Sequence, residues 1–340
     1  MRAAVFRQLH QPLAVETLRD PEPGSGQVVI RVGRCGICGS DLHMTEDPAF
    51  GARPGDVLGH EFAGEVVALG KGVERLRLGD RVSVVPISSC GTCPSCLAGE
   101  PAWCSQMALQ GGGYAELAVT SERQCVLLPD SASIADGAIV EPLAVALHGV
   151  MRAGMEPGAK VLVLGAKVLV LGAGPIGLAT AYWARRLGAT EVVVQDVARY
   201  QEERAFAMGA TRFVCDPVEP VIASDAAFGG KPDIVFECVG IPGLIAQAVE
   251  QARVRGTVVI LGLCTRPDTF VPFRALSKEL NLVTSAFFKR QEYEASLDAL
   301  NAGSAEPRML VTDTIGLDQV PEGFEALRKR THECKVLIAP

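Results

Sequence analysis

Four cysteines stand at Cys90-x2-Cys93-x2-Cys96-x7-Cys104, with Gly91, Pro94 and Gly99 permitting turns between them. Thiolates this close together can surround one tetrahedral Zn²⁺ at Zn–S distances of about 2.3 Å, and four protein ligands leave no open position, so such a zinc would be structural. A redox C-x-x-C pair and a nucleic-acid zinc ribbon compete for the same spacing. The net charge of -7 and the lack of flanking basic residues weigh against the ribbon. A second signal is Gly172-Ala-Gly174-Pro175-Ile176-Gly177, which follows an apolar strand-like run and opens a helical one. Glycines there allow a tight turn and close approach of a pyrophosphate to a helix N-terminus, the dinucleotide-binding fingerprint. Asp196 follows Gly177 by 19 residues. A carboxylate in that place accepts hydrogen bonds from the ribose hydroxyls and repels a 2'-phosphate, which favours NAD over NADP. Three more segments carry groups able to bind metal or move protons: Cys38-Gly39-Ser40-Asp41-Leu42-His43, Gly59-His60-Glu61 and Val140-Glu141-Pro142. On residue type alone each is ordinary, because a lone buried Cys or His is most often packed core.

The elements that must position these groups fall into two textures. Between Gln27 and Ser121, short β-type runs (Val28 to Val32, Glu65 to Leu69, Arg81 to Val85, Ala115 to Val119) alternate with Gly- and Pro-rich turns, a spacing that predicts a partly open β-barrel. From about Lys160, apolar strands at Lys167 to Leu171, Glu191 to Gln195, Asp233 to Glu237 and Thr257 to Gly262 alternate with helical segments. That alternation predicts right-handed βαβ units and a doubly wound parallel sheet, an α/β fold. Helical stretches at Tyr293 to Leu300 and Glu322 to Arg330, then a strand at Lys335 to Ile338, are expected to rejoin the first domain. The expected division is therefore 1–142 with 286–340 as a catalytic domain carrying a zinc lobe at about 88–106, and 143–285 as the dinucleotide domain.

Ala159 to Gly165 is repeated at once as Ala166 to Gly172, seven residues each. One strand holding both copies would run about 40 Å, twice the usual length. Only the second copy leads into the glycine turn, so it is assigned as the buried strand, with the first displaced to the N-terminal edge of the sheet, away from ligands. A duplication artefact without function is the plainest account of the first copy. The apolar run from Val161 to Ala184 reaches membrane-spanning length, but its glycines, Pro175 and Val/Leu alternation read as strand and turn.

With 340 residues, 48% hydrophobic and 21% charged, the composition excludes collagen-like, disordered and heptad-rich chains. The acidic balance offers no basic stripe for nucleic acid or anionic lipid. Eleven cysteines without a signal peptide suit a reducing, cytoplasmic location, where clustered thiols indicate metal or catalysis.

Taken together, the three proton- and metal-binding segments, the four-cysteine lobe, the glycine fingerprint, Gly79-Asp-Arg-Val82, Gly113-Tyr-Ala-Glu116, Phe236-Glu-Cys-Val-Gly240 and Lys335-Val336 resemble the zinc-dependent medium-chain alcohol dehydrogenases. The resemblance runs in the family's order over essentially the whole chain, and Glu141-Pro142-Leu143 resembles the sorbitol and 2,3-butanediol dehydrogenase branch. It implies a GroES-like barrel beside a Rossmann domain, with two zinc ions and NAD per chain. Cys38 and His60 would be catalytic-zinc ligands, with the other positions shared by Glu61, Glu141 and a water or substrate oxygen. One thiolate and one carboxylate neutralise Zn²⁺, whereas a second carboxylate leaves an excess negative charge, which favours one glutamate on the metal at a time. Asp41 would orient the zinc-bound histidine. Ser40 would take the hydroxyl proton and His43 pass it toward solvent, as hydride leaves for the nicotinamide. Gly172, Gly174, Pro175, Ile176, Gly177, Asp196 and Arg199 would bind the cofactor. His148 reads as packing or an interdomain hydrogen bond, and His10 and His332 carry no signal.

Sorbitol dehydrogenases typically place an Arg-Tyr pair in a pocket-lining strand segment that here reads Ser285-Ala-Phe-Phe288-Lys289. Loss of hydroxyl donors there, with Met44 and Phe50 as further apolar wall, points from polyols toward a secondary alcohol or vicinal diol and its ketone. L-threonine or polyol dehydrogenation and a non-catalytic cofactor-binding role are the alternatives. The family implies a homodimer or homotetramer, with no nucleic-acid or membrane partner. Cys35, Cys125, Cys215, Cys238, Cys264 and Cys334 remain as reduced core thiols.

Overall fold

The computed structural model describes residues 1–155 and 165–340, which form two compact units, Met1–Glu141 with Lys289–Pro340, and Pro142–Phe288. The division falls within the helix Ile134–Arg152 and again between Phe288 and Lys289.

The first unit is built on a seven-stranded sheet. Its spine is Gln27–Gly36, which pairs antiparallel with Glu61–Leu69, Leu117–Ser121 and Lys335–Ala339. The first half of the spine is rich in β-branched residues, and Val28, Ile30 and Val32 are buried in one cluster with Phe62, Val66, Tyr114 and Phe324. Register does the positioning. Gly36 lies opposite both Glu61 and Leu337, so the chain that continues to Cys38 emerges beside Glu61 on one side and the C-terminal strand on the other. A Cβ on Gly36 would strike Glu61 Oε2, which is why this position takes glycine. Two predicted limits shift for local reasons. The expected strand at Ala115 to Val119 is instead Leu117–Ser121, because Ala115 bridges to Ala3 and the Glu116 N–H donates to the Arg2 carbonyl. The expected helix from Glu322 to Arg330 is the shorter Val320–Ala326, followed by a 3₁₀ turn at Leu327–Lys329.

Among the described residues, the second unit carries six parallel strands in the spatial order Arg212–Val214, Glu191–Gln195, Lys167–Leu171, Ile234–Glu237, Thr257–Ile260 and Asn281–Thr284. Sequence order reverses direction at Lys167–Leu171, the arrangement of a Rossmann sheet, whose ligands bind at the carboxyl ends beside that switch. The second copy of the heptapeptide supplies this central strand, fully buried over Val168 to Val170. The first copy, apart from Gly165, lies outside the described residues. The predicted strand Thr257 to Gly262 stops at Ile260, since the N–H groups of Leu261 and Gly262 both turn onto the Glu237 carbonyl.

Among the described residues, one helix, Ile134–Arg152, is long and apolar enough to cross a membrane, and 78% of its most apolar window is buried within the protein. Within the run that resembled a span, the residues described, from Gly165 on, resolve into strand, glycine turn and the helix Pro175–Arg186.

Candidate metal and dinucleotide sites

The four-cysteine lobe is assembled from neighbours in sequence. Pro94 opens the one-turn helix Pro94–Leu97, which brings Cys93 and Cys96 Sγ to 3.5 Å, while Cys90 lies 3.6 Å from Cys104 and 3.9 Å from Cys96. All four sulfurs fall within 4.8 Å of one another. The N–H groups of Thr92 and Cys93 donate to Cys90 Sγ at 3.5 and 3.4 Å, and these bonds bring its thiol down to about 6. Amide donors aimed at sulfur favour the thiolate that binds metal. Four sulfurs at these separations fit one tetrahedral soft cation and leave it no open position.

The second cluster is assembled from segments far apart in sequence and is buried except for the half-buried Cys38. Cys38, at the N-terminus of the short helix Gly39–Met44, meets His60 and Glu61 at the head of Glu61–Leu69, and the three donor atoms lie within 4.8 Å of one another. Asp41 lies behind the histidine, with Oδ1 at 3.3 Å from His60 Nδ1, while its Oδ2 accepts the Cys38 N–H at 3.0 Å and the Tyr114 hydroxyl at 2.6 Å. Burial works to lower the pKa of His60, but the charge and hydrogen bond of Asp41 override it and hold the imidazole well above its usual range. The same pairing depresses Asp41 against its own burial. For Tyr114, burial and then the charge of Asp41 push the phenol well up, which keeps it a hydrogen-bond donor.

Glu61 and Glu141 differ in their surroundings. Glu61 is 1% exposed and its two oxygens accept from Lys335 Nζ at 2.8 and 2.7 Å; the same ammonium, 2% exposed, donates to the Ile37 carbonyl at 3.0 Å. Glu141 stands outside the close triplet, and burial raises its carboxyl to about 7, with His60 opposing and Glu61 adding to the rise. A thiolate and two carboxylates gathered around one buried ammonium leave an excess of negative charge that a divalent cation balances, so the donor set fits zinc. Lys335 offsets one further negative charge, but the buried Asp41 carboxylate behind His60 supplies one, so the charge argument from sequence, one glutamate on the metal at a time, is unchanged. Lys335 was visible as part of the Lys335-Val336 motif, but a partner 274 residues away leaves no local signal of its role.

Ser40 and His43 lie one turn apart on Gly39–Met44, and the His43 ring stacks on Phe50 at 5.7 Å with planes 12° apart. A cavity of about 440 Å³ opens beside His60, lined by Met44, Phe50, Leu58, Leu109 and Gln110. His148 is buried in the helix Ile134–Arg152.

In the second unit, the predicted cofactor-binding residues form one turn and its neighbours. Gly172 has φ +95°, and a Cβ on Gly177 would overlap the Gly172 carbonyl oxygen, so the first glycine serves the turn and the third the helix–strand contact. Gly174 caps the helix, with Pro175 and Ile176 as its first two residues. Asp196, just past the strand Glu191–Gln195, accepts the Ala173 N–H at 2.7 Å and the Ala198 N–H at 3.2 Å. The Arg199 guanidinium is held by Glu202 at 2.9 Å. Glu237 Oε1 accepts the N–H groups of Val239 and Gly240, both at 2.8 Å, and so shapes the next loop at the carboxyl edge. The segment Ser285-Ala-Phe-Phe288 is not strand; it follows the end of Asn281–Thr284, because Phe287 adopts φ +57°. Phe288 is fully buried and Phe287 half-buried, so Phe287 presents the accessible ring.

These two sites, on a GroES-like barrel and a Rossmann sheet, define a zinc-binding dehydrogenase. Residues 24–130 match the family model for the alcohol dehydrogenase GroES-like domain, and residues 175–302 that for zinc-binding dehydrogenase. The chain is 32% identical over 356 residues to (R,R)-butanediol dehydrogenase of Bacillus subtilis, covering 100% of both proteins. To sorbitol dehydrogenase of the same organism it is 30% identical over 357 residues, covering 100% of this chain and 97% of that protein. The NADH-bound crystal structure of the alcohol dehydrogenase RspB from Escherichia coli CFT073 superposes with a TM-score of 0.89 at 29% identity, over 100% of this chain and 99% of the other. The chain belongs to the zinc-type medium-chain alcohol dehydrogenase family. It is an oxidoreductase, with zinc and a nicotinamide dinucleotide as its cofactors.

Proposed function

We propose that the protein oxidises a secondary alcohol or vicinal diol to the ketone, and catalyses the reverse, with NAD as the partner. The observation that carries this reading is the Cys38–His60–Glu61 donor cluster, whose histidine borders a cavity lined by Met44, Phe50 and Leu58 together with Asp56 and Gln110. Cys38, His60 and Glu61 hold the catalytic zinc, with Glu141 as an adjoining carboxylate, while Cys90, Cys93, Cys96 and Cys104 hold a structural one. When bound, the catalytic metal supplies Lewis acidity toward an alcohol oxygen and the nicotinamide supplies the hydride acceptor. Asp41 keeps the His60 proton on Nδ1, which turns Nε2 toward the donor cluster. Lys335 holds Glu61 in place. Ser40 Oγ takes the substrate hydroxyl proton and His43, stacked on Phe50, passes it outward. Gly172 to Gly177 and the N-terminus of Pro175–Arg186 receive the pyrophosphate, with Asp196 on the ribose hydroxyls and Arg199 at the margin of that site.

Self-association is part of this reading, as a homodimer or homotetramer. Asn281–Thr284 is an edge strand with Leu282 exposed, and Phe273 and Leu276 nearby in sequence are 67% and 71% exposed, surface that a second copy would cover. The eleven free thiols suit a cytoplasmic location. The test combines metal analysis with NADH formation over secondary alcohols, vicinal diols, polyols and L-threonine. Two zinc ions per chain with turnover fastest on secondary alcohols or diols is expected; turnover confined to polyols or threonine, or none at all, overturns the assignment.

A further inference from the structure

Tyr114 has no role in the reading above, yet its side chain is fully buried and its hydroxyl needs a partner there. That partner is Asp41 Oδ2 at 2.6 Å, the length of a charge-assisted O–H···O⁻ bond. The Cys38 N–H takes the same oxygen at 3.0 Å. Two donors on Oδ2 leave Oδ1 as the oxygen turned to His60 Nδ1. The carboxylate is thus pinned from behind before it meets the imidazole.

The ring is pinned as well. It lies across Gly59, where φ is +84° and a Cβ would overlap Tyr114 Cδ1. Phe324 meets it edge-on with centroids 6.3 Å apart. The Tyr114 N–H donates to the Leu58 carbonyl at 3.1 Å, and the Tyr114 carbonyl accepts from Ala4 at 2.8 Å. One residue therefore holds both the backbone immediately before His60 and the carboxylate behind its ring.

We propose that Tyr114 is a positioning residue of the catalytic metal centre, acting through Asp41 and Gly59 on His60. The inference rests on the reading of Cys38, His60 and a glutamate as that centre. The test replaces the catalytic-site metal by Co²⁺ and reads its affinity by chelator competition, its visible absorption, and the metal retained by the four-cysteine lobe. Tyr114→Phe removes the hydroxyl and keeps the ring. It should weaken Co²⁺ binding about tenfold and alter its spectrum, the low end of the loss seen when partners of metal-bound histidines are removed, with the lobe's metal unchanged. In an Asp41→Asn background the same substitution should cost less than about twofold, because the pathway is already cut. Phe324→Leu keeps the hydroxyl; it should lower the thermal midpoint and leave Co²⁺ affinity intact. Parental affinity and spectrum in Tyr114→Phe, or an undiminished loss in the Asp41→Asn background, overturns the role of Tyr114 alone. A parent protein that takes up no Co²⁺ outside the lobe overturns the metal reading on which it rests.

Discussion

The four-cysteine lobe and the Cys38–His60–Glu61 cluster both gather metal-ligating side chains, but they are built in opposite ways. The lobe draws its donors from residues 90 to 104, three of them half-buried, with turn amides donating to sulfur. The cluster and its partners draw on the loop after Gln27–Gly36, the head of Glu61–Leu69, the helix Ile134–Arg152 and the first residue of the strand Lys335–Ala339, all buried save Cys38, which is half-buried. A closed shell of four equivalent thiolates saturates its metal and cross-links a loop. Unequal donors, a spare carboxylate and an adjoining cavity leave room for a substrate. On the reading proposed above, metal chemistry is thus divided between a site held by its own sequence and a site held by the fold.

The largest expected effect separates the two sites by activity. Cys38→Ser should reduce kcat/KM on the order of 10³-fold or more, as the metal's several kcal/mol of transition-state stabilisation is lost, with little change in thermal midpoint. A variant that keeps more than a tenth of parental turnover would remove Cys38 from the centre. Next, Lys335→Met strips the buried Glu61 of its ion pair and should cost about 3 kcal/mol in denaturant unfolding, since breaking one half of a buried pair leaves the other uncompensated. Cys96→Ser in the lobe should show the converse of Cys38→Ser. We expect loss of one metal equivalent and a midpoint lower by about 5 °C, with kcat of the folded fraction largely kept. If kcat falls in step with metal content, the division between the two sites fails. Asp196→Ala should lower the ratio of kcat/KM for NAD over NADP about tenfold, read from initial rates with each cofactor. The smallest effect belongs to the repeat: deleting Ala159 to Gly165 should leave kcat/KM within about twofold, because added length away from a site is well tolerated.

The two sites also differ in how far they could be read. The lobe and the glycine turn were legible because their groups lie within a few residues of one another and chain geometry alone brings them together. Cys38, His60 and Asp41 needed the resemblance to a family, as nothing local in Gly59-His60-Glu61 points to Cys38. Two partners escaped even so. Tyr114 and Lys335 sat in quoted motifs without a role, because their bonds to Asp41 and Glu61 span 73 and 274 residues. Nothing in Ser285-Ala-Phe-Phe288-Lys289 distinguishes the accessible ring from the buried one, since the left-handed turn at Phe287 and the burial of Phe288 leave no composition signal.

By itself the sequence determined the two-texture architecture, the closed thiolate site and the dinucleotide turn, all consequences of spacing along a chain with fixed local geometry. Only the tertiary structure decided how the buried charges balance. The register of Gly36 against Glu61 and Leu337 brings Lys335 onto Glu61, and the glycine at 59 admits the Tyr114 ring. Electrostatic energies depend on distance in space, and those distances exist only once strands from both ends of the chain have paired.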